Sequence, residues 1–339
     1  MQPEQVDRAF GCWLGQLSGD ALGSMVEFQS PEAIRNQWPH GLRVMASSPF
    51  WQTMPGQPTD DSEMAMELAY ALAESYPRFD PNLVAFHYRG WMESGPFDCG
   101  KTISRALTGH YSVAFSSMAE SLQRRADPTS QANGALMRQS PLGIWGYAQE
   151  RATLAEAARQ DARLTHPHPV CQEASAVYVT TLAAAIAEGL SPEEAYRFAL
   201  DFQRTEGREE AVLRSLIQAS EPQALPPPCS PHIGYVLLAL HNAFYQLLHC
   251  PDLESVVVET VMLGGDADTN AAIAGALAGA VHGEQQIPDQ WRTALETCRP
   301  STGLGALKPR PERYWPGAYE PLVRSLMGSP PGASARHGP

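Results

Sequence analysis

Two short acidic segments of this chain could hold metal ions. Residues 59–63 read Thr-Asp-Asp-Ser-Glu and residues 264–269 read Gly-Gly-Asp-Ala-Asp-Thr, and each lies directly before a helix-like apolar run. Each segment therefore offers two aspartate carboxylates and a threonine oxygen at the start of a helix. Ordinary capping explains either segment alone, because Thr, Asp and Ser are preferred N-cap residues and acids are favoured in a first turn.

The presence of both segments in one chain favours a metal centre over capping. Four carboxylates gathered in one place repel one another unless they are countercharged, and two divalent cations would balance them. Neither segment contains histidine or cysteine, so Mg²⁺ or Mn²⁺ is favoured over zinc. The sequence therefore predicts a binuclear site with oxygen ligands.

Helical periodicity dominates the rest of the chain, and alternating strand patterns are nearly absent. Apolar or small residues recur at three- and four-residue spacing in segments 6–17, 62–76, 81–92, 154–162, 170–189, 192–204, 232–249 and 269–281. The β-branched run 255–262 is also interpreted as a helix, because Pro-Asp before it and Gly-Gly after it are start and stop signals. The pattern predicts one all-α domain over residues 1–320 and a tail over residues 321–339 that is flexible from about residue 328.

Glycine recurs at every fourth position in two segments, at Gly11, Gly15, Gly19 and Gly23 and at Gly275, Gly279 and Gly283. On a helix this spacing bares backbone and lets a second helix approach closely, although each internal glycine costs roughly 1 kcal/mol relative to alanine. We therefore expect a tight helix crossing at Gly11 and Gly15 and at Gly275 and Gly279. Gly19 and Gly23 flank Asp20, and we expect them to shape a loop.

Composition excludes some classes of protein. The 339 residues include 24 Lys+Arg and 37 Asp+Glu, a net charge of −13, which disfavours general nucleic-acid binding. The start of the chain lacks the basic and apolar regions of a signal peptide, and the longest strongly apolar run, residues 271–281, is too short to span a bilayer. The six cysteines are scattered, so we expect a cytoplasmic protein with reduced thiols.

The chain resembles the ADP-ribosylglycohydrolases in six motifs that run in the family's order. The motifs are Gly-Cys-Trp-Leu-Gly-Gln-Leu-Ser-Gly-Asp-Ala-Leu-Gly at 11–23 with Val-Glu-Phe at 26–28, Thr-Asp-Asp at 59–61, Gly-Pro-Phe-Asp-Cys-Gly-Lys-Thr at 95–102, Asn-Gly-Ala-Leu-Met-Arg at 133–138, Leu-Thr-His at 164–166 and Gly-Gly-Asp-Ala-Asp-Thr-Asn-Ala-Ala at 264–272. One such motif is weak evidence, whereas six in order are specific. The resemblance implies an all-α fold with two divalent ions, Mg²⁺ or Mn²⁺, in a central cleft.

The resemblance also implies a role for individual residues. The implied metal ligands are Thr59, Asp60, Asp61, Asp266, Asp268 and Thr269. Asp98 is similar to the acid proposed as general base in the bacterial branch, and Glu27 resembles an acid with a catalytic or gating role in another branch. The sequence leaves the choice between these two open. The implied contacts to ADP-ribose are Gly100, Lys101, Thr102, Asn133, Gly134, Ala135, Met137 and His166.

The implied activity is metal-dependent hydrolysis that removes ADP-ribose from a modified protein side chain, with N-glycosidic ADP-ribosyl-arginine favoured. The same fold could act on another linkage: ADP-ribosyl-serine, O-acetyl-ADP-ribose, an ADP-ribosylated nucleobase, or a toxin-modified target for which the protein gives immunity. A non-catalytic ADP-ribose-binding or crystallin-like structural protein is the other alternative. The expected partners are an ADP-ribosylated protein and ADP-ribose, and we expect a monomer without a membrane span.

Overall fold

α-Helices form nearly all of the regular structure of the residues described by the computed structural model, which are 2–109, 113–226 and 234–328. The helices are α1 Pro3–Gly23, α2 Pro31–Gln37, α3 Asp60–Ser75, α4 Pro81–Glu93, α5 Lys101–Leu107, α6 Met118–Arg125, α7 Ser140–Gly146, α8 Arg151–Arg163, α9 Pro169–Glu188, α10 Pro192–Thr205, α11 Glu210–Ala219, α12 Val236–His249, α13 Leu253–Val261, α14 Ala267–His282, α15 Asp289–Thr297 and α16 Glu320–Leu326. Within those residues no strand occurs, and β-pairing is limited to one isolated antiparallel bridge between Ala132 and Tyr235. The all-α prediction is confirmed.

Most of the long predicted helices are found close to their predicted bounds, but the helix predicted over residues 6–17 extends to Gly23. α13 confirms that residues 255–262 form a helix rather than a strand. The predicted helix at 232–249 corresponds to α12, and residues 232 and 233 lie outside the described residues. The pattern does not predict α2 and α7, because seven residues complete barely two turns and show little periodicity.

α1 and α14 cross with their backbones in direct contact. A Cβ atom placed on Gly15 would lie 2.7 Å from the carbonyl carbon of Gly275, and one placed on Gly279 would lie 2.9 Å from the amide nitrogen of Cys12. Both distances are too short for real Cβ contacts, so only glycine allows this approach. The tight crossing predicted from the glycine spacing is confirmed.

The prediction of a loop around Asp20 is wrong, because α1 continues unbroken through Gly23. A Cβ atom on Gly19 would lie 2.6 Å from the amide nitrogen of Ala272, and one on Gly23 would lie 2.5 Å from the Cα atom of Asp268. The close approach therefore extends to the start of α14, where small residues also face α1. The crossing thus brings Asp20 of α1 close to the acidic start of α14.

α9 lies at the centre of the helical core. Among the described residues it is the one helix that is long and apolar enough to cross a membrane, yet 89% of its apolar window is buried inside the fold. It packs against α7, α8 and α10. A helix that is apolar on all sides is expected in such a position, because every face meets another helix.

The packed part of the chain extends beyond the domain boundary predicted at residue 320. α16 buries Val323 and Leu326, Met327 is buried directly after it, and the helix packs against α3 and α7. One more short apolar helix thus covers the core after residue 320. Residues 329–339, on which most of the predicted flexible segment falls, lie outside the described residues.

Candidate active site

The two acidic segments meet where α3 and α14 begin. Asp60 and Asp61 occupy the first turn of α3, Asp266 directly precedes α14, and Asp268 lies in its first turn. The α1–α14 crossing fixes the start of α14, and the start of α3 lies against the same end of α1. Asp60, Asp266 and Asp268 consequently line one cleft.

The cleft has a volume of about 500 Å³, within the usual range for small-molecule sites. The other predicted site residues in its wall are Glu27, Asp98, Gly100, Lys101, Thr102, Asn133, Gly134, Met137, His166 and Thr269. Thr59, Asp61 and Ala135 lie behind this surface with no exposed area. Ala135 therefore lies outside the cleft lining, whereas Thr59 and Asp61 adjoin the lining acids.

A further carboxylate, that of Asp20 on α1, holds the start of α3. Its Oδ1 accepts hydrogen bonds from the Thr59 amide at 3.0 Å and the Thr59 hydroxyl at 2.9 Å, and its Oδ2 accepts one from the Ser62 amide at 3.0 Å. Asp20 thus caps α3 from another helix, while the Thr59 side chain makes no capping bond. Sequence reasoning missed this role, because the only signal is an acid between glycines about 40 residues away.

Glu27, Asp98 and Asp268 form an acidic cluster in the cleft. Their carboxylates each place an oxygen within 4.8 Å of the others. Oε2 of Glu27 also accepts a hydrogen bond from Nε1 of Trp51 at 2.6 Å. Glu27 and Asp98, which the resemblance implies act in catalysis, are therefore as well placed to bind a cation as Asp268, which it implies is a metal ligand.

Burial and like charge raise the pKa values of these acids. Burial, reinforced by the charge of Asp98, raises the pKa of Glu27 to about 8, and burial with the charge of Asp60 raises the pKa of Asp98 to about 9. The pKa values of Asp60, Asp61 and Asp268 also lie well above their usual range, first through burial and then through neighbouring carboxylates. Such crowding is relieved either by protons or by bound cations.

The donor set fits hard divalent cations. Oδ1 of Asp61 is buried without a hydrogen-bond partner, which is the kind of unmet acceptor that a cation satisfies. Oδ2 of Asp266 accepts a hydrogen bond from Nδ2 of Asn133 at 2.7 Å, and this contact orients the carboxylate as outer partners of metal ligands do. The acids at both helix starts thus provide the oxygen ligands that Mg²⁺ and Mn²⁺ prefer.

Arg310 ties the loop that carries Asp98 to α3. Its Nε and Nη2 donate to the two carboxylate oxygens of Glu63, both at 2.7 Å, and its Nη1 donates to the carbonyl oxygen of Gly95 at 3.0 Å. Such a bidentate buried pair fixes geometry as well as charge. Sequence reasoning missed Arg310, which lies far from every motif.

His166 lies in the cleft wall with one ring nitrogen unpaired. Its Nδ1 lies 2.8 Å from Oγ1 of Thr165, which also accepts a hydrogen bond from Nη1 of Arg138 at 2.8 Å. Because arginine can only donate, the threonine proton is available to Nδ1, and in the tautomer in which Thr165 donates to Nδ1 the neutral ring carries its proton on Nε2. Nε2 is buried without a partner, so this N–H is available to an oxygen atom of a ligand.

The charge state of His166 leads to a stability prediction. Burial and the charge of Arg138 lower its pKa to about 3, whereas the same side chain titrates near 6.5 in an unfolded chain. Protons therefore bind the unfolded state preferentially between these values, and the free energy of unfolding should fall as the pH falls below about 6.5. His166→Gln should lessen this fall by up to about 1.4 kcal/mol per pH unit.

Denaturant unfolding of both proteins at several pH values between 6.5 and 5 measures this difference. Every other titrating group is common to the two proteins, so the difference between their slopes isolates His166. Equal slopes would show that His166 binds its proton in the folded state.

Comparisons with known proteins agree with this geometry. The ADP-ribosylglycohydrolase family model matches residues 1–315. The ADP-ribosyl-(dinitrogen reductase) glycohydrolase of Rhodospirillum rubrum is 28% identical over 295 residues, which cover 87% of this chain and 92% of that protein. The ADP-ribosylarginine hydrolase of Serratia proteamaculans is 27% identical over 304 residues, 87% of this chain and 76% of that protein.

A solved structure of an ADP-ribosylglycohydrolase-related protein complex is similar to this chain over almost its full length. The TM-score is 0.74 at 27% identity, with 96% of this chain and 99% of that chain covered. Family match, relatives and fold agree, and the chain belongs to the ADP-ribosylglycohydrolase family.

Proposed function

We propose that this protein hydrolyses the glycosidic bond between ADP-ribose and a modified protein side chain, and that this bond is the N-glycosidic bond to arginine. The observation that carries the proposal is a cleft of about 500 Å³ whose wall combines Glu27, Asp98 and Asp268, with oxygens within 4.8 Å of one another. The names of the Rhodospirillum and Serratia relatives support ADP-ribose as the group removed. The Serratia name supports arginine as the modified residue.

The residues that would hold Mg²⁺ or Mn²⁺ are Thr59, Asp60, Asp61, Asp266, Asp268 and Thr269. Bound ions of this kind polarise hydroxyl groups and lower the pKa of water. Asp20 and Asn133 support these residues from behind, because Asp20 holds the Thr59 amide and hydroxyl and Asn133 holds Oδ2 of Asp266. The chain thus orients the acids before substrate arrives.

Cleavage of a glycosidic bond develops positive charge at the anomeric carbon, as in an oxocarbenium ion. The acidic cluster stabilises that charge, and Glu27 or Asp98 takes or delivers the proton. Trp51 donates a hydrogen bond to Oε2 of Glu27 and leaves Oε1 for the proton transfer. The N–H of His166 and the exposed charge of Lys101, both in the cleft wall, are available to the diphosphate. The proposed contacts to ADP-ribose are Gly100, Lys101, Thr102, Asn133, Gly134, Met137 and His166.

A panel of linkages tests the proposal. Purified protein with Mg²⁺ or Mn²⁺ should release ADP-ribose faster from ADP-ribosyl-arginine than from ADP-ribosyl-serine or O-acetyl-ADP-ribose, and excess chelator should stop the release. A preference for another linkage would support the proposed hydrolysis and contradict arginine as the modified residue. Calorimetric binding of ADP-ribose without any turnover would instead indicate a binding protein.

The same assay separates the two candidate acids. Asp98→Asn and Glu27→Gln keep the size of each side chain and remove its ability to exchange a proton near neutral pH. We expect a loss of about 10²- to 10⁴-fold in turnover from the variant that lacks the essential acid or base. Near-normal turnover at saturating metal excludes the replaced residue from that role.

A further inference from the structure

An exposed aromatic ring lies at the mouth of the cleft beside Glu27. Phe28 lines the cleft and has 53% of its surface exposed. Its ring packs edge-to-face on Phe50 at 5.3 Å, and Phe50 packs in the same way on Trp51 at 4.9 Å. Trp51 is the residue that donates to Glu27. We name Phe28, Phe50 and Trp51 the aromatic wall.

The backbone of Phe28 adopts an unfavourable conformation to place this ring. Its φ of 64° lies in the left-handed region that aromatic residues rarely occupy. Two hydrogen bonds hold the backbone in this conformation. The Phe28 amide donates to the carbonyl oxygen of Gly265 at 2.7 Å, and the Gly265 amide donates to the carbonyl oxygen of Gln29 at 3.0 Å. The side chain remains 53% exposed, so burial compensates for only part of the strain, and strain of this kind is typical of functional positions.

The position of Phe28 identifies which part of a substrate it meets. Its ring lines the same cleft as Glu27, Asp98 and Asp268, and we place a group that rests on it beside the bond that these carboxylates would cleave. The adenine of ADP-ribose is separated from that bond by two riboses and the diphosphate, whereas the leaving group adjoins it. On an arginine substrate the leaving group is a guanidinium, a planar cation that stacks on aromatic faces and pairs with carboxylates.

We propose that the Phe28 ring receives the guanidinium of the modified arginine, and that this contact favours arginine over neutral leaving groups. The inference rests on the proposed function and extends it to the choice of linkage. The Phe28 ring supplies a flat face that attracts a planar cation, and the other two rings of the aromatic wall support it. A serine leaving group, which is joined through its hydroxyl oxygen, and an acetyl ester have no positive charge for an aromatic face to attract.

Steady-state kinetics on four proteins test this contact: wild type, Phe28→Leu, Phe28→Tyr and Phe86→Leu. Phe28→Leu keeps an apolar side chain and removes the aromatic face, so the KM for an ADP-ribosyl-arginine peptide should rise about 3- to 30-fold. Its inhibition constant for free ADP-ribose should stay within about twofold of wild type. Phe28→Tyr should retain the wild-type KM. Phe86 on α4, 54% exposed and outside the cleft lining, is the matched control and should show no change.

Three results would overturn the inference: an unchanged KM in Phe28→Leu, a parallel weakening of ADP-ribose inhibition, or an equal loss in Phe28→Tyr. The parallel weakening would place adenine on the ring. Phe28→Met takes the place of Phe28→Leu if the latter does not fold, with the same expected loss. If wild type releases no ADP-ribose from ADP-ribosyl-arginine, both the proposed function and the inference fail. If wild type is active and the KM of Phe28→Leu is unchanged, only the inference fails.

Discussion

Replacement of Asp268 by asparagine is expected to lower kcat/KM for ADP-ribose release by more than about 100-fold, because even the outer partners of metal ligands are worth about 10- to 100-fold. The substitution keeps the shape of the side chain and removes a charge from the cluster with Glu27 and Asp98. Asp60→Asn on α3 should have a similar effect from the other helix start. Steady-state kinetics at saturating Mg²⁺ or Mn²⁺ measure both losses.

Thermal unfolding provides a second readout that does not depend on turnover. Mn²⁺ should raise the Tm of wild type, because a ligand that binds the folded state stabilises it, and it should raise that of Asp268→Asn much less. Asp80→Asn is the matched control, since Asp80 caps α4 away from the cleft and asparagine caps equally well. An Asp268→Asn protein with wild-type turnover and a wild-type response to Mn²⁺ would argue against a metal centre at this position.

Gly15→Ala is expected to destabilise the protein by roughly 3 kcal/mol or more, at the upper end of the cost of overpacking. The added methyl group would lie 2.7 Å from the carbonyl carbon of Gly275, so two backbones would have to separate. The better helix propensity of alanine returns only about 1 kcal/mol. Chemical denaturation with far-UV circular dichroism measures the difference in free energy of unfolding.

Gly90→Ala is the matched control for this substitution. Gly90 lies inside α4, and a Cβ atom there would meet no atom within 4 Å. Alanine should therefore stabilise the protein by about 0.5–1 kcal/mol through propensity alone. If Gly15→Ala were equally well tolerated, the α1–α14 crossing would have to be looser than the structure shows.

Local patterns were sufficient for the features that depend on a few neighbouring residues. The periodicity of α1, α9 and α14 predicts their helices, and two acidic segments predict where carboxylates collect. The regular glycine spacing predicts that α1 and α14 each take part in a close helix crossing, whereas the pairing of Gly15 with Gly275 is seen only in the structure. Such features are encoded within one or two turns, so a single sequence can show them.

Features that depend on distant contacts could not be read in this way. Asp20 caps a helix about 40 residues later, and Arg310 reaches a loop more than 200 residues earlier. The exposure of Phe28 depends on hydrogen bonds to Gly265, and the full burial of Ala135 depends on packing around it. In each case the partner is fixed only after the chain has folded.

The α1–α14 crossing also determines when the cleft can exist during synthesis. Gly15 leaves the ribosome early, but its partner Gly275 is made only after most of the described helices. Until then the bare face of α1 has nothing to pack against, and the nascent chain carries one acidic segment without the other. Contacts between such distant segments form late and slowly. A partly synthesised chain therefore has neither the assembled cleft nor a complete set of carboxylates, and both form together once α14 has been made.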